Sequence, residues 1–417
     1  MSVRSSIARS WIRSVAVLTP FAIAAPLACA DSGSEPERAE PVVPDASILP
    51  DAAPSDTDVS VDADATIDAV AERCSSGGFC YEPLPLHAPL VAVSATSMND
   101  AWAVGGDAVV RWDGSAWKTV YQHDAVTSGT TVSLRGVFAS KTDDVWALGE
   151  TPFPDRRFVV VRHVPGDGGA PVFRETLTEE PAEGDFWAGW LTPSSDALWF
   201  LASGSSSVLR FRESTDGAIE IDRWSPQGET DEGTFVAWYG LWGFAADDVY
   251  MMGASCFFGA CDSLLARYDG ASWSVAKVDD PQIVTGMFGT RDPAQPRQLW
   301  LESMDPSTGD RSLRLVPVSS DGGLGPPVLD RKLDGCGSLV GSAVGPAAAW
   351  LSDGCLVHRW NGTTLDVTPI AVGGEPPGRV NAVWAGSADD AWVVGTSLPY
   401  EGPDLPELGF AARRGGK

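Results

Sequence analysis

The residues of this chain that could do acid–base chemistry recur along it. Adjacent aspartates are found at Asp143 and Asp144, Asp247 and Asp248, and Asp389 and Asp390. A glycoside hydrolase needs two carboxylates that face each other across one scissile bond. Because these pairs occupy equivalent places in a repeat, we interpret them as repeat features and assign no catalytic residue.

Arginine and aspartate also recur once per repeat. One arginine occurs in each of seven units, at Arg111, Arg162, Arg210, Arg267, Arg314, Arg359 and Arg413. An aspartate precedes an aromatic residue in five units, at Asp100, Asp144, Asp196, Asp248 and Asp390. A ring of guanidinium groups around a channel could bind an anion, whereas a strand arginine could bond a turn aspartate of its own or a neighbouring unit. A binding site usually breaks the symmetry of a repeat, so we favour the structural interpretation.

No spacing of histidines or cysteines is typical of a metal site. The histidines are His87, His123, His163 and His358, and no two have the spacing of a zinc ligand pair. The oxygen-rich segment 305–310 could be a calcium loop, but turn chemistry explains it equally well. We therefore predict no cofactor and no metal ligand, with calcium left as an alternative.

Six cysteines fall into neighbouring pairs, which predicts disulfides in an exported protein. The pairs are Cys74 and Cys80, Cys256 and Cys261, and Cys336 and Cys355. The connectivity stays open, because six cysteines allow many pairings. Cys29 is the seventh cysteine.

The first 28 residues have the features of an export signal. Arg4, Arg9 and Arg13 precede an apolar run that is too short to anchor the chain in a bilayer. Cleavage after Ala30 would release a soluble protein. The end of the segment also resembles a bacterial lipobox, which implies lipidation of Cys29 and, by similarity to Gram-negative lipoproteins, the outer membrane. We predict an exported protein, either an outer-membrane lipoprotein or a cell-surface protein, with a periplasmic or secreted form as the alternative.

Residues 29–73 form an acidic stretch rich in Pro and Ala and without an aromatic residue. Such a composition cannot bury enough apolar surface to offset the entropy of ordering, so we predict a disordered linker. An acidic tail with its own ligand is the alternative. The net charge of −27 would repel phosphate backbones and anionic lipids. We expect a monomer that binds no nucleic acid and meets a membrane only through a lipid anchor.

Residues 74–417 contain a degenerate repeat whose clearest copy is Leu90–Val120. Its second predicted strand is centred on an aromatic residue in every copy, at Trp102, Trp146, Trp199, Tyr250, Trp300, Trp350 and Trp392. Spacings of roughly 40 to 50 residues suit one propeller blade. The pattern predicts an all-β fold, a seven-bladed β-propeller of four-stranded antiparallel blades.

The seventh unit ends soon after Arg413 and lacks a fourth strand. A strand-like piece, Phe79–Leu86, precedes the first unit. We predict that this N-terminal strand completes the last blade and closes the ring, since closure removes exposed sheet edges.

The repeats resemble a family of exported bacterial β-propeller repeat proteins, many of them lipoproteins, with the pattern V-W-G-S-x-x-D-D-V-W-A-V-G followed by R-W-D-G-S-x-W. The best matches are Ala382–Gly395 and Arg111–Trp117. The resemblance implies the fold and names no activity. The turns Asp113–Trp117 and Asp269–Trp273 are distantly similar to the Asp-box of sialidase-like propellers, which implies a similar hairpin and not glycosidase chemistry.

Three insertions between second and third strands break the repeat. They cover residues 150–157, 254–262 and 398–406, and they carry Phe153, Phe257, Phe258 and Tyr400. Such loops share one face of a propeller, so these aromatic side chains could bind sugar or protein. Drift in tolerant loops is the alternative.

These features predict a non-enzymatic extracytoplasmic binding or scaffold protein of the cell envelope. Its partner would be an extracellular glycan or protein. The alternative is an extracytoplasmic carbohydrate-active hydrolase or lyase on a propeller scaffold. That alternative needs a cluster of acid, Tyr or Arg in the channel that breaks the symmetry.

Overall fold

The computed structural model describes residues 74–166, 171–181, 186–194, 196–202, 205–226, 235–257, 260–278, 282–335, 337–372, 378–397 and 408–415. Within these ranges the chain forms strands and one helical turn, α1 (Ala125–Ser128). None of the helical structure described is long and apolar enough to cross a membrane. The predicted signal peptide, Cys29 and the acidic linker lie outside the described residues.

A short strand comes first, followed by the strands of blades 1 to 3. The first strand is β1 (Phe79–Tyr81). Blade 1 comprises β2 (Ala92–Ser97), β3 (Asp100–Gly105), β4 (Ala108–Trp112) and β5 (Trp117–Gln122). Blade 2 comprises β6 (Ser133–Lys141), β7 (Asp144–Glu150), β8 (Arg157–Pro165) and β9 (Pro171–Pro181). Blade 3 comprises β10 (Phe186–Leu191), β11 (Ala197–Ala202), β12 (Val208–Glu213) and β13 (Ile219–Trp224).

The remaining strands form blades 4 to 7. Blade 4 comprises β14 (Phe235–Ala245), β15 (Asp248–Phe257), β16 (Ala260–Tyr268) and β17 (Trp273–Val278). Blade 5 comprises β18 (Ile283–Gly289), β19 (Gln298–Met304), β20 (Arg311–Pro317) and β21 (Leu329–Leu333). Blade 6 comprises β22 (Val340–Gly345), β23 (Ala348–Ser352), β24 (Val357–Trp360) and β25 (Leu365–Thr368). Blade 7 comprises β26 (Arg379–Ala385), β27 (Ala391–Ser397), β28 (Leu408–Arg414) and β1.

The seven four-stranded sheets form a closed ring. Each sheet is antiparallel, and the first strands of neighbouring blades contact one another in cyclic order, including β26 of blade 7 with β2 of blade 1. The predicted seven-bladed β-propeller is therefore confirmed. The first strands surround the central channel, and the fourth strands lie at the rim.

The ring closes as predicted, through β1, although this strand covers only the first three residues of the predicted piece Phe79–Leu86. This strand pairs with β28, with Phe79 opposite Arg414 and Tyr81 opposite Ala412. Phe79 is fully buried, and its ring packs edge-on against Trp350 of blade 6 at 5.6 Å. The Tyr81 hydroxyl donates to the Ile370 carbonyl at 2.9 Å. The N-terminal strand therefore completes one blade and also anchors it to the previous one.

The second-strand aromatic residues form the buried core between blades. All seven are at most 1% exposed. Trp392 of blade 7 packs against Trp112 and Trp117 of blade 1, at 5.5 and 5.2 Å between ring centroids. Because these aromatic cores join adjacent blades, no blade buries its apolar surface alone.

Glycine turns join the third and fourth strands of three blades, as the Asp-Gly and Asn-Gly pairs predicted. Gly114, Gly270 and Gly362 have φ of 93°, 93° and 96°. The preceding aspartate or asparagine accepts from backbone amides two and three residues later, as Asp113 does from Ser115 and Ala116, both at 3.0 Å. A side chain other than glycine would strain the left-handed backbone there.

Blade 5 differs from the other blades in the register of its third-strand arginine. In the other six blades the repeat arginine lies opposite the second-strand aromatic residue, as Arg111 lies opposite Trp102. In blade 5 Leu315 lies opposite Trp300, and Arg314 lies opposite Leu301. Arg314 lies on the third strand, as predicted, but it is displaced by one residue, which in a strand turns a side chain to the opposite face.

The two ends of the propeller differ in their connections. One end, here called the turn face, carries the links between first and second strands, such as residues 98–99 and 290–297. The other end, here called the loop face, carries the links between second and third strands, such as residues 151–156. Described parts of the predicted ligand loops, such as residues 150–157 and 254–257, belong to the loop face.

Candidate functional site

The repeat arginines form ion pairs, most of them within their own blade. Arg111 pairs with Asp100 at 2.8 Å and lies over the Trp102 ring at 4.9 Å. Arg359 of blade 6 pairs with Asp389 of blade 7 at 2.6 Å. The others also have acidic partners: Arg162 with Asp144, Arg210 with Asp222, Arg267 with Asp248, Arg314 with Asp330 and Arg413 with Glu82. They do not line the channel as a ring. The structural interpretation is confirmed in that each arginine is paired within the fold, but three of the partners, Asp222, Asp330 and Glu82, are not turn aspartates.

The repeat aspartates have equally local roles. Asp248 accepts from Arg267 and Arg297 at 2.9 and 2.6 Å. Asp390 accepts from the Ser387 hydroxyl at 2.9 Å. Asp196 accepts from the Thr192 hydroxyl at 2.6 Å, and these turn hydrogen bonds hold its pKa below the usual value although burial acts against them. None of these carboxylates forms an opposed catalytic pair with another.

His358 and the candidate calcium segment make hydrogen bonds within the fold. His358 contacts the buried Asp353 carboxylate at 3.1 Å. The Asp305 side chain accepts from the backbone amide of Ser307 at 2.8 Å, as in an ordinary turn. Among the residues described, no three His, Cys, Asp or Glu side chains are grouped as metal ligands.

Two of the predicted disulfides are present, Cys74–Cys80 and Cys256–Cys261. Cys355 is also disulfide-bonded. Its predicted partner, Cys336, lies outside the described residues.

The channel contains an apolar cavity of about 420 Å³ toward the loop face. First-strand residues of all seven blades line it, among them Val93, Phe138, Trp242 and Val383. Its polar groups already have protein partners: the Asn381 side-chain amide donates to the Leu90 carbonyl at 2.9 Å, and Arg135 pairs with Glu150 at 3.5 Å. This half of the channel presents little free hydrogen-bonding capacity.

A second cavity of about 340 Å³ opens at the turn face, and it does not follow the repeat. We call it the Arg291 pocket. It is lined by Ala95, Thr96, Ala139, Ser140, Trp190, Leu191, Thr192, Pro193, Trp242, Gly243, Phe244, Arg291 and Trp384. Trp190 and Trp384 are buried in its wall, whereas Trp242 and Phe244 are partly exposed.

Arg291 reaches this pocket because the first turn of blade 5 is long. Residues 290–297 replace the two-residue turn 98–99 of blade 1. The turn lies on blade 6, where the Arg291 amide donates to the Ala343 carbonyl at 2.8 Å. The Arg291 side chain continues to blade 7, where Nη2 donates to the Ala385 carbonyl at 2.7 Å and the guanidinium lies 4.7 Å from the Trp384 ring centroid. One residue thus joins three blades.

The charge of Arg291 has no local acidic partner. In the part of the chain that the structure describes, no carboxylate lies within 4 Å of its guanidinium, and no Asp or Glu lines the pocket. The residue is open to solvent on one side, while the protein encloses much of its guanidinium. This enclosure lowers the pKa of Arg291 to about 10, against the opposing effect of Asp292. Arg291 is therefore a cation at neutral pH, and its guanidinium carries further N–H donors besides the one bonded to Ala385.

The predicted loop-face residues lie at separate places. Phe153 is 85% exposed beside a cavity of about 570 Å³ formed by blade 2 and the segment that precedes it. Phe257 is 46% exposed at the end of β15, next to the Cys256–Cys261 disulfide of blade 4. Phe258 and Tyr400 lie outside the described residues. The structure describes no single pocket that contains both Phe153 and Phe257.

Sequence reasoning did not find the Arg291 pocket. Its aromatic walls belong to the first-strand pattern, where Trp190, Trp242 and Trp384 resemble ordinary core residues. A signal was present in the fifth unit, where residues 290–297 replace the usual Asp-containing turn before Trp300. An insertion at the narrow channel mouth brings a side chain into the centre of the ring.

Comparisons with known proteins support the fold and name no family. No protein-family model matches the chain, and no curated protein matches its sequence. A structure described as YCF48 bound to D1 peptide is 13% identical, with a TM-score of 0.50 over 82% of this chain and 97% of that one. The β-propeller domain of Cps50 (Swd1) from Myceliophteria thermophila is 12% identical, with a TM-score of 0.51 over 78% and 96%.

A third structure, the SapL1 lectin in complex with alpha methyl fucoside, is 11% identical, with a TM-score of 0.41 over 73% of this chain and 100% of that one. At such identities the similarity shows the β-propeller fold alone. The repeat family and the Asp-box likeness stay predictions.

Proposed function

We propose that this chain is a non-enzymatic binding scaffold of the cell envelope, displayed outside the cytoplasm, which takes a glycan or protein ligand at the turn face. The observation that carries this proposal is the Arg291 pocket. This concave site has aromatic walls, and its lining does not follow the symmetry of the repeat. Such pockets with a few polar groups are the usual form of small-ligand sites. The rest of the recurring charge is used between and within blades.

The composition of the pocket supports binding over hydrolysis. Canonical glycoside hydrolysis uses a pair of carboxylates around the scissile bond. The described lining residues of the Arg291 pocket include an arginine and hydroxyl side chains but no Asp or Glu. A glycoside hydrolase would therefore lack its acid and base at this site, and a lyase would find Arg291 but no acid or Tyr among the described lining residues.

The disulfides support a location outside the cytoplasm, because such bonds persist in oxidising compartments. We propose in addition that Cys29 carries a lipid and that residues 29–73 act as a flexible tether. Mass spectrometry of the mature N-terminus tests this, since a diacylglyceryl cysteine at position 29 is expected. A free Asp31 would contradict the anchor and leave a periplasmic or secreted protein.

Two bulky substitutions of matched size can locate the binding face. Ser140→Phe places a ring in the Arg291 pocket, and Thr131→Phe places one in the cavity beside Phe153. The full-length protein and both variants would be applied to a glycan array and to envelope pull-downs. We expect Ser140→Phe to lose the captured ligand and Thr131→Phe to retain it.

The reverse pattern would move the site to the loop face, near the predicted Phe153. If the wild-type protein captured no ligand on the glycan array or in the pull-downs, this result would contradict the binding function. Turnover of any polysaccharide on a broad panel would contradict the non-enzymatic assignment.

A further inference from the structure

The Arg291 pocket has the chemistry of a site for a single negative charge. Arginine is the residue that best matches a carboxylate, because its planar guanidinium donates two parallel hydrogen bonds and is weakly hydrated. Arg291 uses one N–H on the Ala385 carbonyl, at 2.7 Å. No further hydrogen bond or ion pair of its guanidinium is found among the residues described. Every repeat arginine, by contrast, has an acidic partner.

The number of cations limits the charge of the ligand. Arg291 is the only Lys, Arg or His among the described lining residues of the pocket. The chain as a whole has a net charge of −27, which opposes a highly charged anion. A monoanionic carboxylate therefore fits better than a phosphate, which is usually held by several donors.

The walls favour a ring with apolar faces. Trp242 and Phe244 are partly exposed in the pocket, and Trp190 and Trp384 form its buried wall. The hydroxyls of Thr96 and Thr192 already donate to Asp100 and Asp196, both at 2.6 Å. A peptide entering the pocket would leave main-chain amide groups poorly paired, which costs free energy. A sugar ring can lay its C–H face on an aromatic wall and keep its hydroxyl groups toward the solvent.

We infer that the Arg291 pocket binds a carboxylate-bearing sugar unit of the uronic acid type, with the carboxylate on the Arg291 guanidinium and the ring against Trp242 and Phe244. This inference rests on the proposed binding function and names its ligand class. The volume of about 340 Å³ suits one or two sugar rings rather than a folded domain. The ligand is therefore a terminal or branching unit of an acidic glycan.

Calorimetric titration of the full-length protein with matched small ligands tests this inference. The probes are methyl glucuronide, its uncharged amide and methyl glucoside. Because all three are compared on the wild-type protein, the result does not depend on whether a variant folds. We expect the glucuronide to bind, and the amide and the glucoside to bind about ten- to a hundred-fold more weakly. N-acetylphenylalanine and its amide form a further arm, which tests a peptide-type carboxylate.

Variants then assign the site. Arg291→Gln should weaken glucuronide binding by a similar factor, and Arg291→Lys should give an intermediate loss because it keeps the charge without the planar fork. Arg135→Gln is the matched control, since Arg135 lines the apolar cavity on the loop-face side. It should leave the affinity unchanged.

Equal binding of glucuronide and glucoside would overturn the carboxylate assignment. Preference for N-acetylphenylalanine over its amide, without glucuronide binding, would overturn the sugar. Failure of all the probes would overturn the inference. Neutral glycans or proteins captured equally by wild-type protein and Arg291→Gln would still leave the proposed binding function in place.

Discussion

At the scale of single residues, the repeat arginines differ from Arg291. The repeat arginines form ion pairs that stabilise the fold, whereas Arg291 does not in the part of the chain that the structure describes. Arg111 and Arg267 each cover a second-strand aromatic ring and pair with an aspartate of the same blade. Such pairs at partly exposed positions stabilise modestly, and each satisfies groups that would otherwise be buried without partners. Arg291 forms no ion pair with a carboxylate among the described residues. The difference between them is visible only in the folded structure.

His123 should make the stability depend on pH. Burial lowers its pKa, but the hydrogen bonds to Glu175 and the Thr130 carbonyl, at 2.9 and 2.8 Å, outweigh this and raise it above 6.5. A raised pKa in the folded state stabilises the protein below the unfolded pKa, and this contribution is lost as pH rises through the folded pKa.

We therefore expect the melting temperature of wild-type protein to fall, relative to His123→Gln, as the pH rises above about 6.5, the ordinary pKa of histidine. Thermal melts across this range measure it. Glu175→Gln should reduce the effect, because Glu175 is the main charged partner. Parallel pH curves for all three proteins would contradict the coupling.

The register of blade 5 can be tested by a pair of neighbouring substitutions. Leu315 is 1% exposed and lies opposite Trp300, whereas Arg314 pairs with the exposed Asp330 at 3.4 Å. Leu315→Ala should lower the free energy of unfolding by about 2–5 kcal/mol because it leaves a cavity. Arg314→Ala should cost clearly less. Urea denaturation measures both, and a larger loss for Arg314→Ala would contradict the register of blade 5 in the structure.

At the scale of elements, closure of the ring by β1 can be tested directly by deletion. Deleting residues 74–81 removes the partner of β28 and leaves Trp350 without its contact to Phe79. We expect a large fall in melting temperature and a tendency to associate through the uncovered strand. Phe79→Ala, which keeps the backbone pairing, should cost about 3–5 kcal/mol. An unchanged melting curve for the deletion would rule out closure by β1.

Most elements could be predicted from the sequence because they repeat. Seven copies of an aromatic residue at similar spacing specify the blades, and the missing fourth strand of the last copy specifies closure by Phe79–Tyr81. The position of Arg314 could not be derived, because adjacent residues of a strand differ only in which face they take. The Arg291 pocket could not be derived either, since residues from distant blades meet there only when the ring closes.

At the scale of the whole molecule, the large negative net charge should lower the melting temperature at low salt concentration. A net charge of −27 destabilises the compact state through self-repulsion. The arginine–carboxylate pairs are partly buried and are screened less than exposed charges. We therefore expect the melting temperature to rise when NaCl increases from about 10 mM to about 300 mM, where the Debye length becomes short. Sucrose serves as a control for non-ionic effects, and a falling melting temperature in NaCl would mean that the pairs dominate.

The pairing of β1 with β28 can form only after synthesis of the propeller is nearly finished. Phe79 is among the first residues of the propeller to be synthesised, and its partner Arg414 comes after nearly every other residue of the ring. A copy that stops early cannot supply β28, so Phe79–Tyr81 stays unpaired and the last blade stays open. A truncated copy would therefore expose an unpaired strand edge that invites association with other chains, whereas a finished copy would not.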